Sequence, residues 1–128
     1  MKVVWIFGIT TLMMRYGTMY RQGDILLIPI PYSDLTSNKK RPVLVLSNDD
    51  YNTKTEDIIV AAITSNITSK EYSILISNKD MQEGNLHVNS CIRVDKIYTL
   101  SQSIVIKKFG AVKPEIINNV KEKLRKLI

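Results

Sequence analysis

Residues 42–63 read PVLVLSNDDYNTKTEDIIVAAI. Two runs rich in branched apolar residues, 42–47 and 57–63, flank a polar stretch at 48–56. Each run is too short for a helix of ordinary length and is bounded by turn-forming residues, so each reads as a buried strand. The polar stretch reads as a loop or a short helical turn. Upstream, 24–30 (DILLIPI) is a third strand of the same kind, and Pro29 and Pro31 mark its far end as an edge or an exit from the sheet. Gly23-Asp24 before it has turn chemistry, and the polar segment 33–40 is a loop. Downstream, 73–76 is a fourth strand, and 78–85 is a loop with Gly84 as its turn residue. Residues 87–95 alternate, with Val88, Ser90, Ile92 and Val94 on one side and His87, Asn89, Cys91, Arg93 and Asp95 on the other. A sixth strand lies within 103–112 and ends near Gly110. Pro114 then opens a helix, where its missing N–H costs nothing. Ile116 or Ile117, Val120, Leu124 and Leu127 form the apolar face of that helix. Six short strands and one terminal helix predict a mainly β fold, a small barrel or sandwich packed by the helix.

The chain has 128 residues, the size of one domain, with 45% hydrophobic and 23% charged residues. Its net charge is +6 and its pI about 9.5, a balance that favours anionic partners. Eleven of the eighteen Lys and Arg residues follow Thr64, and much of that excess lies in Lys121, Lys123, Arg125 and Lys126. Charge on a terminal helix is usually its solvated face. One cysteine, Cys91, excludes an internal disulfide and fits a reducing cytoplasm. One Cys and one His, His87, cannot build a four-ligand zinc site, and no EF-hand spacing occurs, so neither a metal nor another cofactor is expected.

Residues 1–18, MKVVWIFGITTLMMRYGT, stand apart from the rest. Lys2 and the apolar stretch after it resemble the start of a signal peptide, but Arg15 follows at once without a small-residue cleavage site. The stretch is too short to span a bilayer. Met19 directly precedes the clean domain pattern, and we expect it to be the true start, which makes 1–18 an extension outside the 19–128 domain.

The series Gly23-Asp24-Ile25-Leu26, Pro31-Tyr32-Ser33-Asp34 and Lys40-Arg41-Pro42-Val43-Leu44-Val45-Leu46-Ser47 resembles the opening of PemK/MazF toxins. Ala61-Ala62-Ile63-Thr64-Ser65, Ile92-Arg93-Val94-Asp95, Thr99-Leu100, Gly110 and the terminal helix continue that pattern in order. The resemblance covers 20–128. It implies an SH3-like barrel with a C-terminal helix, a homodimer, and metal-independent, sequence-specific cleavage of single-stranded RNA in the cytoplasm. It also implies neutralisation by an acidic antitoxin, with DNA contact through that complex, and no membrane partner.

Four residues are candidates for the chemistry. Arg41 enters a strand from a polar loop, and a guanidinium can grip two phosphate oxygens at once; the alternative is a solvated arginine at a strand end. Thr64 carries the position that the family implicates in catalysis, and Ser65 follows it. Their hydroxyls suit a scissile phosphate, although strand-end turn chemistry is common for both residue types. Arg93 and Asp95, two apart on a strand, share a face and match a pair that one branch of the family is thought to use. They suit either an acid–base pair or a structural ion pair. Lys39, Lys40, Ser65 and Ser33 are the candidate substrate contacts. That branch's first-loop histidine has no counterpart here, and the family pattern gives His87 no role, so His87 reads as structural or as a rim residue. Cys91 reads as a small buried hydrophobe. Two other functions remain open from the sequence, a non-catalytic SH3-like binding module and a related toxin that inhibits a topoisomerase.

Overall fold

The computed structural model describes residues 19–29, 39–67 and 71–128. The expectations placed on 1–18, on Ser33 and on most of the loops 33–40 and 68–71 fall outside the described residues. Seven strands of the described residues form one antiparallel sheet. They are β1 Asp24–Pro29, β2 Lys40–Val45, β3 Asp57–Thr64, β4 Ser73–Ile76, β5 Met81–Glu83, β6 Ser90–Ser101 and β7 Lys107–Val112, in the spatial order β4-β6-β3-β2-β1-β7-β5. Helix α1, Asp49–Lys54, joins β2 to β3, and helix α2, Pro114–Leu127, ends the chain. The mainly β expectation holds, as a curled sheet with a C-terminal helix. Two details differ. A seventh strand, β5, lies inside the segment read as a loop. In addition, β6 begins at Ser90 rather than at residue 87 and runs on to Ser101. Among the described residues no helix is long and apolar enough to cross a membrane.

The three central strands bury both faces. Ile25, Leu44, Ala61 and Ile63 join Ile74, Ile76, Ile92 and Val94 in one core, which Ile116, Ile117 and Val120 of α2 cover. Leu26, Ile28, Val43, Val45, Ile58 and Val60 form a second core on the opposite face, packed by Tyr20, Leu100 and Val105. Two-sided burial is why these strands read as continuous apolar runs rather than as alternation. Each fully buried Leu or Ile contributes roughly 1.5–3 kcal/mol.

The sheet curls at irregular points in its ladders. Register shifts occur between Ile25 and Leu26 against β7 and between Ala61 and Ala62 against β6. At the second, Ala61 faces Ile97 while Ala62 faces Arg93, so residues 94–96 of β6 bulge out of the β3 ladder. At the far edge β5 and β7 nearly touch. A Cβ on Gly110 would lie 2.5 Å from the Glu83 carbonyl, and one on Gly84, whose φ is +80°, would lie 2.8 Å from the Phe109 carbonyl. Only glycine fits both requirements at Gly84, the positive φ and the close approach.

Helix α1 carries a buried polar hub. The Asn48 side chain caps the helix by accepting from Tyr51 N–H at 2.8 Å. Asn52, fully buried, donates to the carbonyls of Tyr20 (3.0 Å) and Ser47 (3.1 Å) and accepts from the Ser47 hydroxyl. Ser47 Oγ in turn accepts from Ile59 N–H at 3.0 Å, and Gln102 donates to the Asn52 carbonyl at 2.9 Å. The hub therefore ties the start of the described fold, β2, β3 and the turn after β6 to one side chain. Asn52→Ala leaves those buried groups unpaired and should lower stability by about 2–3 kcal/mol. Urea denaturation of the variant measures this, and a loss below about 0.5 kcal/mol would mean that the hub does not hold these segments together.

Candidate active site

The β2–β3 ladder stops early. Val43 pairs with Ala62, Leu44 with Ala61 and Val45 with Val60, and no pair continues beyond Val43. Extending the same register would set Pro42 opposite Ile63 and Arg41 opposite Thr64. Leu46 N–H donates to the Ile59 carbonyl on β3 at 2.8 Å. Backbone groups alternate sides along a strand, so position 42, like 44 and 46, turns toward β3. A proline there has no N–H to give. The ladder ends where its next donor is missing, and the strands part. On the other side, Pro42 still faces Leu27 of β1.

The gap is a cleft of about 230 Å³ lined by Arg41, Pro42, Ile63, Thr64, Ser65 and His87, with Ile25, Leu86, Val88, Ser90 and Phe109 completing its walls. Arg41 is exposed and has no ion-pair partner among the described residues. The Thr64 hydroxyl accepts from Asn66 N–H at 3.1 Å, which fixes the strand-end turn and leaves the hydroxyl hydrogen as a donor. Ser65 is exposed at the lip. A guanidinium without an ion-pair partner among the described residues and two hydroxyls around a partly apolar hollow make a receptor for a phosphoryl group.

The structure brings Arg41, Thr64 and Ser65 together as the sequence suggests. Lys39 and Lys40 are exposed at the start of β2, next along the chain but not in the cleft wall. Arg93 and Asp95 are not in the wall either. Arg93 Nε donates to Asp95 Oδ1 at 3.0 Å and its terminal nitrogen donates to Oδ2 at 3.1 Å, a two-pronged pair that spans the entry to the β6 bulge. The hydrogen bonds from Arg93 hold the Asp95 carboxyl below its usual range, and Asp95 raises the Arg93 guanidinium. Each partner is thereby a weaker acid or base than it would be alone. Among the described residues no group of three His, Cys, Asp or Glu side chains is placed to hold a metal ion.

His87 is the cleft residue that alternation along 87–95 conceals. With β6 starting at Ser90, His87 stands in the connection before the strand rather than on a strand face, and it lines the cleft. The sequence signal was the cluster Gly84, Asn85 and Asn89, which belongs to a turn. Cys91 is buried, 3% exposed, as expected.

The sequence matches the model of the PemK-like, MazF-like toxins of type II toxin–antitoxin systems over residues 21–128. The chain belongs to that family. No curated protein matches it significantly in sequence. Solved structures share the fold of this PemK/MazF-family chain. A MazE–MazF structure from Deinococcus radiodurans has a TM-score of 0.70 at 19% identity, covering 85% of this chain and 95% of that one. MazF from the same organism has a TM-score of 0.68 at 20% identity, covering 85% and 96%. An endoribonuclease in complex with its cognate antitoxin from a mycobacterial species has a TM-score of 0.68 at 19% identity, covering 84% and 92%.

Two measurements follow from this geometry. Pro42→Ala restores a donor facing β3, so the ladder should gain the 42–63 pair and amide hydrogen exchange at Ile63 should slow. Unchanged exchange there would separate the proline from the opening of the cleft. For the Arg93–Asp95 pair, the folded carboxyl titrates below its unfolded value near 3.8. Its contribution to stability is present above that value and is lost as pH falls through the folded one. The thermal midpoints of wild type and Asp95→Asn should therefore differ slightly at pH 7 and converge in strong acid; a gap of constant size would argue against the pair as its source.

Proposed function

We propose that this protein is the toxin of a type II toxin–antitoxin system and acts as a metal-independent, sequence-specific endoribonuclease on single-stranded RNA. The observation that carries this reading is that Arg41, without an ion-pair partner among the described residues, lines one cleft with Thr64 and Ser65 at the gap beside Pro42. The family membership and the endoribonuclease identity of one structural relative support it. RNA brings its own nucleophile, the 2′-OH beside each phosphate. The protein has to align that oxygen with the phosphorus and stabilise the charge that grows on the phosphoryl oxygens. Arg41 grips two of those oxygens, and the Thr64 and Ser65 hydroxyls donate to them. Fixed donors of this kind are worth ~3 kcal/mol each in the transition state. The products are a 2′,3′-cyclic phosphate and a 5′-OH.

Arg93 and Asp95 take a supporting part in this reading. Their pairing braces the β6 bulge, and their participation in proton transfer would require them to separate first. Lys39, Lys40 and Ser33 guide the RNA backbone toward the cleft, Lys39 and Lys40 by charge from the approach to β2. The protein works as a homodimer in the cytoplasm. Its antitoxin is an acidic segment that covers the Arg41 cleft, in keeping with a relative solved in complex with its cognate antitoxin.

Incubating the purified protein with a long single-stranded RNA in excess EDTA tests the proposal. Discrete fragments with cyclic phosphate ends are expected. A deoxyribose at the cut site should abolish cleavage while binding persists, because the nucleophile is gone. Arg41→Lys keeps the charge but loses the planar fork, and its cleavage rate should fall by about 10²-fold or more, the scale of one lost transition-state donor. Intact RNA under all conditions would favour a binding module, and a strict Mg²⁺ requirement would overturn the mechanism.

A further inference from the structure

We infer that His87 is the general base of the cleft, the group that takes the 2′-OH proton of the bound RNA. This rests on the nuclease reading above and adds to it the proton acceptor that reading lacks. Transphosphorylation needs a base, and the other cleft residues cannot serve. A guanidinium such as that of Arg41 has no acceptor to offer, and hydroxyls such as those of Thr64 and Ser65 are too weakly basic. Asp95 is held by both donors of Arg93 and stands outside the cleft wall. Asp24 is held by Arg21 N–H at 2.9 Å and by Lys108, which also binds Glu83. His87 lines the cleft with Arg41 and Thr64, is exposed, and makes no hydrogen bond to any described residue.

The chemistry is self-consistent. The ring nitrogen of a neutral imidazole can accept a proton. As the 2′-OH proton passes to His87, the O2′–P bond forms and the P–O5′ bond breaks. The electron pair of the broken bond goes to O5′, which takes a proton from a solvent water. The hydroxide left behind then removes the proton from the imidazolium and restores the neutral ring. In the transition state the new imidazolium joins Arg41 beside phosphoryl oxygens that carry growing negative charge. That attraction is stronger there than with the bound substrate, as catalysis requires. Among the described residues Arg41, on β2, is the only charged side chain that shares the cleft wall with His87; β1, β3 and β7 contribute Ile25, Ile63, Thr64 and Phe109, none of them an acid or a base.

The test uses the full chain, with His87→Ala and His87→Gln, on a single-stranded RNA. Wild-type cleavage should rise with pH and level off through the imidazole range, and that inflection should vanish in both variants. Their rates should fall by about 10²–10⁴-fold, while affinity for an uncleavable deoxy-substituted RNA stays within about a factor of two of wild type. Added free imidazole should restore part of the His87→Ala rate. A sulfur leaving atom in place of O5′, which needs no proton, should not rescue the variants. Such a rescue would make His87 the acid of the leaving group and would overturn the assignment. Variants that match an active wild type in rate and pH profile would overturn it too, and leave the nuclease reading standing. A wild type that leaves RNA intact would remove both. Because His87 lies in an exposed connection, both variants are expected to fold, and circular dichroism checks that they do.

Discussion

Burial of β1, β2 and β3 on both faces is the constraint on which the rest of this structure depends. A sheet with two apolar faces needs two covers, and the described residues hold one long helix. Helix α2 covers one face. The other is closed by Tyr20, Leu100 and Val105, segments far apart in sequence that the Asn52 hub and Gln102 draw together. The β6 bulge is part of the same solution. It lets one strand pair along β3 in two registers and still run beside β4, so the sheet curls around the α2-side core instead of remaining flat.

This constraint explains what was legible in the sequence. Runs such as DILLIP and DIIVAAIT announce strands buried on both sides, and Pro114 with the 3.6-residue spacing after it announces the helix. β5 was not legible, because Met81, Gln82 and Glu83 carry no pattern of their own and become a strand only through pairing with β7. The start of β6 was misplaced because His87, Val88 and Asn89 alternate by chance in step with the strand that follows. Local pattern cannot separate such residues from a strand; only the partner strand can, and β4 and β3 offer partners from Ser90 and Cys91 onward.

The candidate site was legible to a similar degree. Arg41 and Arg93 are both candidates as sequence, Arg41 the first choice, each beside plausible polar company. In three dimensions their surroundings differ: a carboxylate satisfies Arg93, while Arg41 stands beside hydroxyls and an imidazole. That difference depends on where the β2–β3 ladder ends, which no single run of residues reveals. Pro42 was visible as a neighbour that stiffens Arg41, but its larger effect comes from the backbone donor it withholds from β3.

The tight contact of β5 with β7 bears on the cleft as well. The connection from Gly84 to Ser90 is an arch with five residues between its footings. One footing is Gly84, seated against the backbone of Phe109 and Gly110, and the other is Ser90, already in the sheet. A strut rises partway along it, where Leu86 N–H donates to the Asn78 side chain at 2.8 Å. An arch this short, footed at both ends and braced beside its crown, has few shapes to explore. His87 sits at that crown, so the fold holds it at the cleft wall with most of its search already done.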